Sequence, residues 1–145
     1  VESNAQYSDS QSYYKNLADE AIKNANKREI LATANQRYGL VFVYSSTCPY
    51  CVRQLPIIMK FKNTHNFKVL GISVDGNHFA GLDRSLTDPD VAKDPNIQAY
   101  PTILLLDTQD PAKIFVSNGL TTMDELEERI VNRIKEREAH DDIHS

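Results

Sequence analysis

Between Ser12 and Tyr38 there is neither Pro nor Gly, and Tyr14, Leu17, Ala18, Ala21, Ile22, Ala25, Ile30 and Leu31 recur at helical spacing. The pattern predicts one long helix or two in succession, stopped by Gly39. Residues 40–44 are apolar without alternation and rich in β-formers. A strand buried on both faces, as in a parallel sheet, reads this way. After Cys48 the helical period returns in Val52, Leu55, Ile58, Met59 and Phe61. Pro49 suits the first turn, where a missing N–H costs nothing, and Pro56 predicts a kink. Residues 69–74 read as a second buried strand. Residues 75–96 hold Gly76, Gly81, Pro89 and Pro95, and predict loops with a short helix near 89–93 capped by Asp88. Residues 102–106 predict a third strand. Asp110-Pro111 is a turn signal, and residues 113–116 predict a fourth strand, ended by Gly119. Thr122 and Glu125 form a capping box that opens a helix with Met123, Leu126, Ile130 and Ile134 on one face. The polar residues 140–145 are expected to fray.

The order α, β, α, β, irregular with a short helix, β, β, α places the chain in the α/β class. It implies a central mixed sheet of four to five strands flanked by helices, with a parallel pair first, a hairpin last and helices on both faces. The expected layout is a largely helical extension over 1–37, a folded domain over 38–137 and a flexible tail over 138–145. A length of 145 residues suits one such domain. Asp and Glu total 20 against 16 Lys and Arg, a net charge of −4, which gives no general attraction to nucleic acid or an anionic membrane. No apolar run approaches the ~20 residues of a membrane span. Residues 1–10 do not read as a signal peptide, so a cytosolic chain and a processed, exported one both stay open.

Cys48 and Cys51 are the two cysteines, three apart, placed where a buried strand hands over to a helix. A bridge between them closes almost no loop and stabilises little, so chemistry is the better reason for the pair. At a helix N-terminus the free N–H groups and the dipole favour a thiolate on Cys48. Cys51, almost a turn further on and more buried, can then resolve a mixed disulfide on Cys48. A zinc site needs four ligands. His140 and His144 have a finger's spacing but lie a whole sheet away, and His65 and His78 read as surface residues. Inert core cysteines are the other bland reading. The exchange chemistry itself needs no metal or nucleotide cofactor.

Tyr100-Pro101-Thr102 stands directly before the third strand. A proline at a strand start is allowed, and a cis bond is the sharper alternative. It would bend the chain and turn neighbouring backbone groups toward an extended substrate near Cys48.

Together, VYSSTCPYCVRQLP, AYPTILLL and NGLTTMDELEERI resemble a thioredoxin-fold oxidoreductase over about residues 38–137. Pro56 matches the helix-kinking proline of that fold, Tyr100-Pro101-Thr102 its cis-proline loop, and Gly119 the glycine closing its last hairpin. Within it, YGLVFVYSSTCPYC, LGISVDG and ELEERI behind a long helical lead resemble the TraF/TrbB branch associated with F-type conjugative pilus assembly. The resemblance implies a periplasmic disulfide isomerase or oxidase with catalytic Cys48 and Cys51. Pro49, Tyr50, Tyr100, Pro101 and Thr102 would bind substrate. Partners would be cysteine-containing proteins of the secretion or conjugation apparatus and a redox protein that recycles the pair. Phe42 stands where thioredoxin has a buried acid, and Thr47 where it has tryptophan. Pro-Tyr replaces Gly-Pro. All three argue against a general thioredoxin-type reductase. Pro-Tyr also occurs in glutaredoxins, but their glycine pair is missing here. An assembly or chaperone module with incidental redox activity is the rival from another class. Tyr50 is either a turn residue or a flank of the substrate groove, and Arg53 either a thiolate partner or a solvated charge. The run over 125–138 and Lys60, Lys62 and Lys68 read as solvated faces.

Overall fold

The computed structural model describes residues 2–112 and 114–144. Val1, Lys113 and Ser145, assigned above to the extension, the fourth strand and the tail, lie outside the described residues. The predicted lead is one helix, α1 (Glu2–Ala34). Its last turns bury Leu31 and Ala34 in the core. Positions 10–23 are exposed throughout, Tyr13 and Tyr14 by 61% and 68%. The chain reverses at Gln36 and Arg37, whose N–H groups bond back to the carbonyls of Thr33 and Ala34.

Strand β1 (Tyr38–Tyr44) follows. Helix α2 (Pro49–His65) has Pro49 in its first turn and Pro56 inside it, and ends on Asn66 at φ 56°. Asn is among the few non-glycine residues that accept this left-handed conformation. After α2 come β2 (Val69–Ser73), β3 (Arg84–Thr87), a 3-10 turn (Pro89–Lys93), β4 (Thr102–Asp107), β5 (Ile114–Asn118) and α3 (Met123–His144). The sheet order is β3-β2-β1-β4-β5. β1 is parallel to β2 and antiparallel to β4, so it sits at the centre, as its non-alternating apolar run requires.

The register puts Leu40 opposite Val69 and Leu105, and Phe42 opposite Ile103. This face meets Leu31, Ile58, Phe61, Leu126, Ile130 and Ile134, so all three α-helices build a single core. Among the described residues, only the 3-10 turn answers for helical cover of the opposite face. Val91 and Ile97 line a cavity there together with Val41, Val43, Ile72 and Leu104, while Leu86 and Leu106 remain 40% and 37% exposed.

Three expectations change. β3, read above as loop, pairs in parallel with β2 at the sheet edge. It is short, and none of its residues is fully buried, so no alternation marks it in the sequence. Residues 140–144, expected to fray, continue α3. Asp141 there accepts a hydrogen bond from Arg37 at 2.7 Å. His65 is not a surface residue: its side chain is 12% exposed and lies 2.6 Å from Glu127. The Thr122 box closes by half. The Glu125 N–H donates to Thr122 Oγ1 at 3.2 Å, while its carboxylate turns to Thr121 Oγ1 at 3.4 Å.

Candidate functional site: the Cys48–Cys51 pair

β1 ends at Tyr44, and Ser45, Ser46 and Thr47 carry the chain to Cys48, the N-cap of α2. With Pro at the first helical position, the free N–H groups begin beyond it. The Cys51 N–H points at Cys48 Sγ, 3.4 Å away. A sulfur anion at this position would therefore face a backbone donor and the positive end of the helix dipole. Cys48 is partly exposed and Cys51 is fully buried. Burial, then the hydrogen bond with Cys48, pushes the Cys51 thiol up to about 12, against a smaller downward pull from a Ser45 backbone hydrogen bond. The two sulfurs are thus unequal, one open and one dry and protonated.

The Tyr100–Pro101 bond is cis, the sharper of the two alternatives. The Tyr100 carbonyl lies 3.8 Å from Cys48 Sγ. Gly119 N–H closes on the Pro101 carbonyl at 2.7 Å, and the buried Thr102 hydroxyl sits 2.7 Å from both Ala99 O and Asn118 Oδ1. The loop is therefore fastened to β5 behind it, while Tyr100 presents its carbonyl toward the sulfur. Tyr50 is 55% exposed beside the pair, and the Arg53 guanidinium sits 6.0 Å from its ring centroid. The structure thus brings Cys48, Cys51, Pro49, Tyr50, Tyr100, Pro101 and Thr102 to one end of the sheet. Phe42 is fully buried and stacks on Tyr44 at 5.0 Å, with Phe79 4.3 Å beyond Tyr44. An aromatic stack therefore fills the place of a buried acid.

Two contributors escaped the sequence reading. Gln54 is fully buried, and its amide donates to Thr121 O at 3.2 Å and accepts from Thr121 N–H at 2.8 Å, tying the first turns of α2 to the entrance of α3. Asp75 accepts hydrogen bonds from the loop before Cys48. A glutamine inside a helix and an aspartate in a turn carry no periodic signal, so only the pairing in space exposes them. Among the described residues, no group of three His, Cys, Asp or Glu side chains is arranged to hold a metal ion, and no helix is long and apolar enough to cross a membrane.

Cysteines three apart at a helix start, a facing cis-proline loop and a mixed five-stranded sheet define a thioredoxin-fold protein with an oxidoreductase-type site. The chain is similar to the pneumococcal exposed lipoprotein thioredoxin of Streptococcus pneumoniae, at TM-score 0.50 and 16% identity over 73% of this chain and 89% of that one. It is also similar to thioredoxin-2 of a malaria parasite, a component of that organism's protein secretion machinery, at TM-score 0.51 and 15% identity over 66% and 82%. These likenesses concern the fold. The chain belongs to the TraF family, described as F plasmid transfer operon protein, whose model matches residues 2–131. Protein TraF of Escherichia coli strain K12 is 27% identical over 112 residues, 77% of this chain and 45% of that protein. The chain therefore spans less than half the length of that relative.

Proposed function

We propose that this chain is a thiol–disulfide oxidoreductase, working as an isomerase or oxidase on cysteines of exported or conjugation-apparatus proteins in the periplasm. The observation that carries the reading is the inequality of the pair. Cys48 is accessible at the head of α2, and Cys51 is buried with its N–H on the Cys48 sulfur. In the reducing direction the Cys48 thiolate attacks one sulfur of a substrate disulfide. A Cys48–substrate disulfide forms, and the other substrate sulfur leaves as a thiolate. Cys51 then loses its proton, which the departing thiolate can take, and attacks Cys48 Sγ. The Cys48–Cys51 disulfide forms, the second substrate thiol is released, and two electrons have moved to the substrate. The reverse sequence oxidises a substrate dithiol. Isomerisation needs only the first attack and its reversal on a different sulfur. Through the first step the Tyr100 carbonyl can accept a substrate N–H alongside the reacting sulfur. Family membership supports the conjugation setting and the periplasmic location.

The deciding experiment is Cys48→Ala. Insulin reduction and refolding of scrambled ribonuclease should both disappear, and full retention of both overturns the assignment.

The exposed reach of α1, with Tyr13, Tyr14, Leu17 and Ile22 between 46% and 68% exposed, favours a second reading as an assembly module. A Cys48→Ser, Cys51→Ser double variant that supports normal pilus assembly would select it over catalysis.

A further inference from the structure

Asp75 lies in the turn after β2, and its two oxygens serve two different neighbours. Oδ2 accepts from the Ser46 N–H at 2.9 Å and the Ser46 hydroxyl at 2.6 Å, with the Ser45 hydroxyl at 3.3 Å. Oδ1 accepts from the Asn77 N–H at 3.1 Å and lies 2.9 Å from the hydroxyl of Ser73, a buried residue at the end of β2. One oxygen is thus anchored to the sheet end and its turn, and the other grips the loop entering α2. The Ser46 hydroxyl first, and with it the Ser73 hydroxyl and the N–H donors of Asn77 and Ser46, hold the carboxyl well below the usual carboxylate range, outweighing the opposing effect of desolvation. The charged form, with acceptors on both oxygens, is therefore the one present.

What Asp75 grips leads directly to Cys48. The Ser45 carbonyl accepts the Cys48 N–H at 3.2 Å. Thr47 Oγ1, next to Cys48, lies 3.2 Å from the Ser45 hydroxyl. The three residues of this loop are themselves half-buried or exposed. A carboxylate meets the need better than an amide. Backbone N–H groups lie against both oxygens and cannot reverse their role, so an amide would turn an NH₂ toward one of them.

We propose that Asp75 is a positioning residue for disulfide exchange, pinning the 45–47 loop to the end of β2 and thereby setting, through the Ser45 carbonyl that holds the Cys48 N–H, where the attacking sulfur stands. This rests on the redox reading above and names a residue that acts without touching substrate.

The test is steady-state reduction of a disulfide-bonded peptide by wild type, Asp75→Asn and Ser46→Ala. Circular dichroism and the melting temperature check folding. A displaced attacking atom costs rate rather than binding. In Asp75→Asn, kcat should fall at least about tenfold while KM stays within about twofold, because the Tyr100–Thr102 loop is fastened to β5 independently. Ser46→Ala removes one hydroxyl donor and keeps the backbone one, so its kcat should fall by less, about threefold. A folded Asp75→Asn protein with wild-type kcat, or one whose loss lies wholly in KM, overturns the proposal. If Asp75→Asn does not fold, Ser46→Ala decides, and an unchanged kcat there overturns it. A wild-type protein that reduces no disulfide at all sinks the redox reading instead, an outcome distinct from these.

Discussion

The Tyr100 carbonyl oxygen lies 3.8 Å from Cys48 Sγ, so the open sulfur of the pair and the backbone edge facing it come together from opposite ends of the sequence-central region. Cys51 is fully buried behind that sulfur. A substrate can therefore reach only the outer sulfur, and a stalled reaction must stall there. Cys51→Ser should accumulate mixed disulfides through Cys48, visible by non-reducing electrophoresis and mass spectrometry. Cys48→Ser should accumulate none. Equal trapping by both variants would contradict the assigned order of attack.

The buried thiol also makes a pH prediction. Desolvation first, then the hydrogen bond with Cys48, raises Cys51 from 9.0 to about 12. Between those values the folded dithiol protein holds a proton that the unfolded chain has lost, so stability falls as pH rises through that window and is fully present below about 9. Denaturant unfolding of the reduced protein should show this loss. The Cys51→Ala protein should show less of it. Iodoacetamide at pH 8 should label one cysteine in the native protein and two in denaturant.

At the other end of the sheet, Asp107 is fully buried and shared by two arginines. Arg37 reaches both its oxygens at 2.9 and 2.8 Å, and Arg137 lies 3.0 Å from Oδ2. These partners, chiefly Arg37, hold its carboxyl well below the ordinary range despite burial. The stability it lends is therefore present above the usual carboxylate range and lost as pH falls below it. Asp107→Ala should destabilise by about 2–4 kcal/mol, less than a wholly buried pair because both guanidiniums keep some water. Disulfide exchange per folded molecule should stay at the wild-type rate. Urea titration and insulin reduction together check both halves.

Glu127 joins three helices. Its Oε1 lies 3.3 Å from Lys27 of α1 and its Oε2 lies 2.6 Å from His65 of α2, beside a cavity of about 770 Å³ between the helices. Glu127→Ala should cost about 1–2 kcal/mol, since the groups it leaves are mostly buried. It should also speed proteolysis within α1 before the rest of the chain is cut. Limited trypsin digestion, followed by mass, reads this out.

Much of the architecture was legible because it rests on local rules. Residues 40–44 read as a strand buried on both faces from their unbroken apolar run, Pro49 as a helix start and Asp88 as a cap. The structure bears out all three, with Asp88 accepting the Asp90 N–H at 3.0 Å. Arg84–Thr87 was not legible. It is a strand through its bonding to β2 and through no pattern of its own. The cysteine pair was visible from spacing and placement. Asp75, Gln54 and the Asp107 cluster were not, because each works through partners distant in sequence, and polar pairing at long range leaves no periodic trace.

One strand spans both regions. β4 starts at Thr102, beside the sulfur pair, and ends at Asp107, in the arginine clamp. Sites so far apart contribute independently. Drift at the clamp end can therefore retune how long the folded chain endures without altering the setting of its two sulfurs, and durability and reactivity are free to evolve on separate schedules.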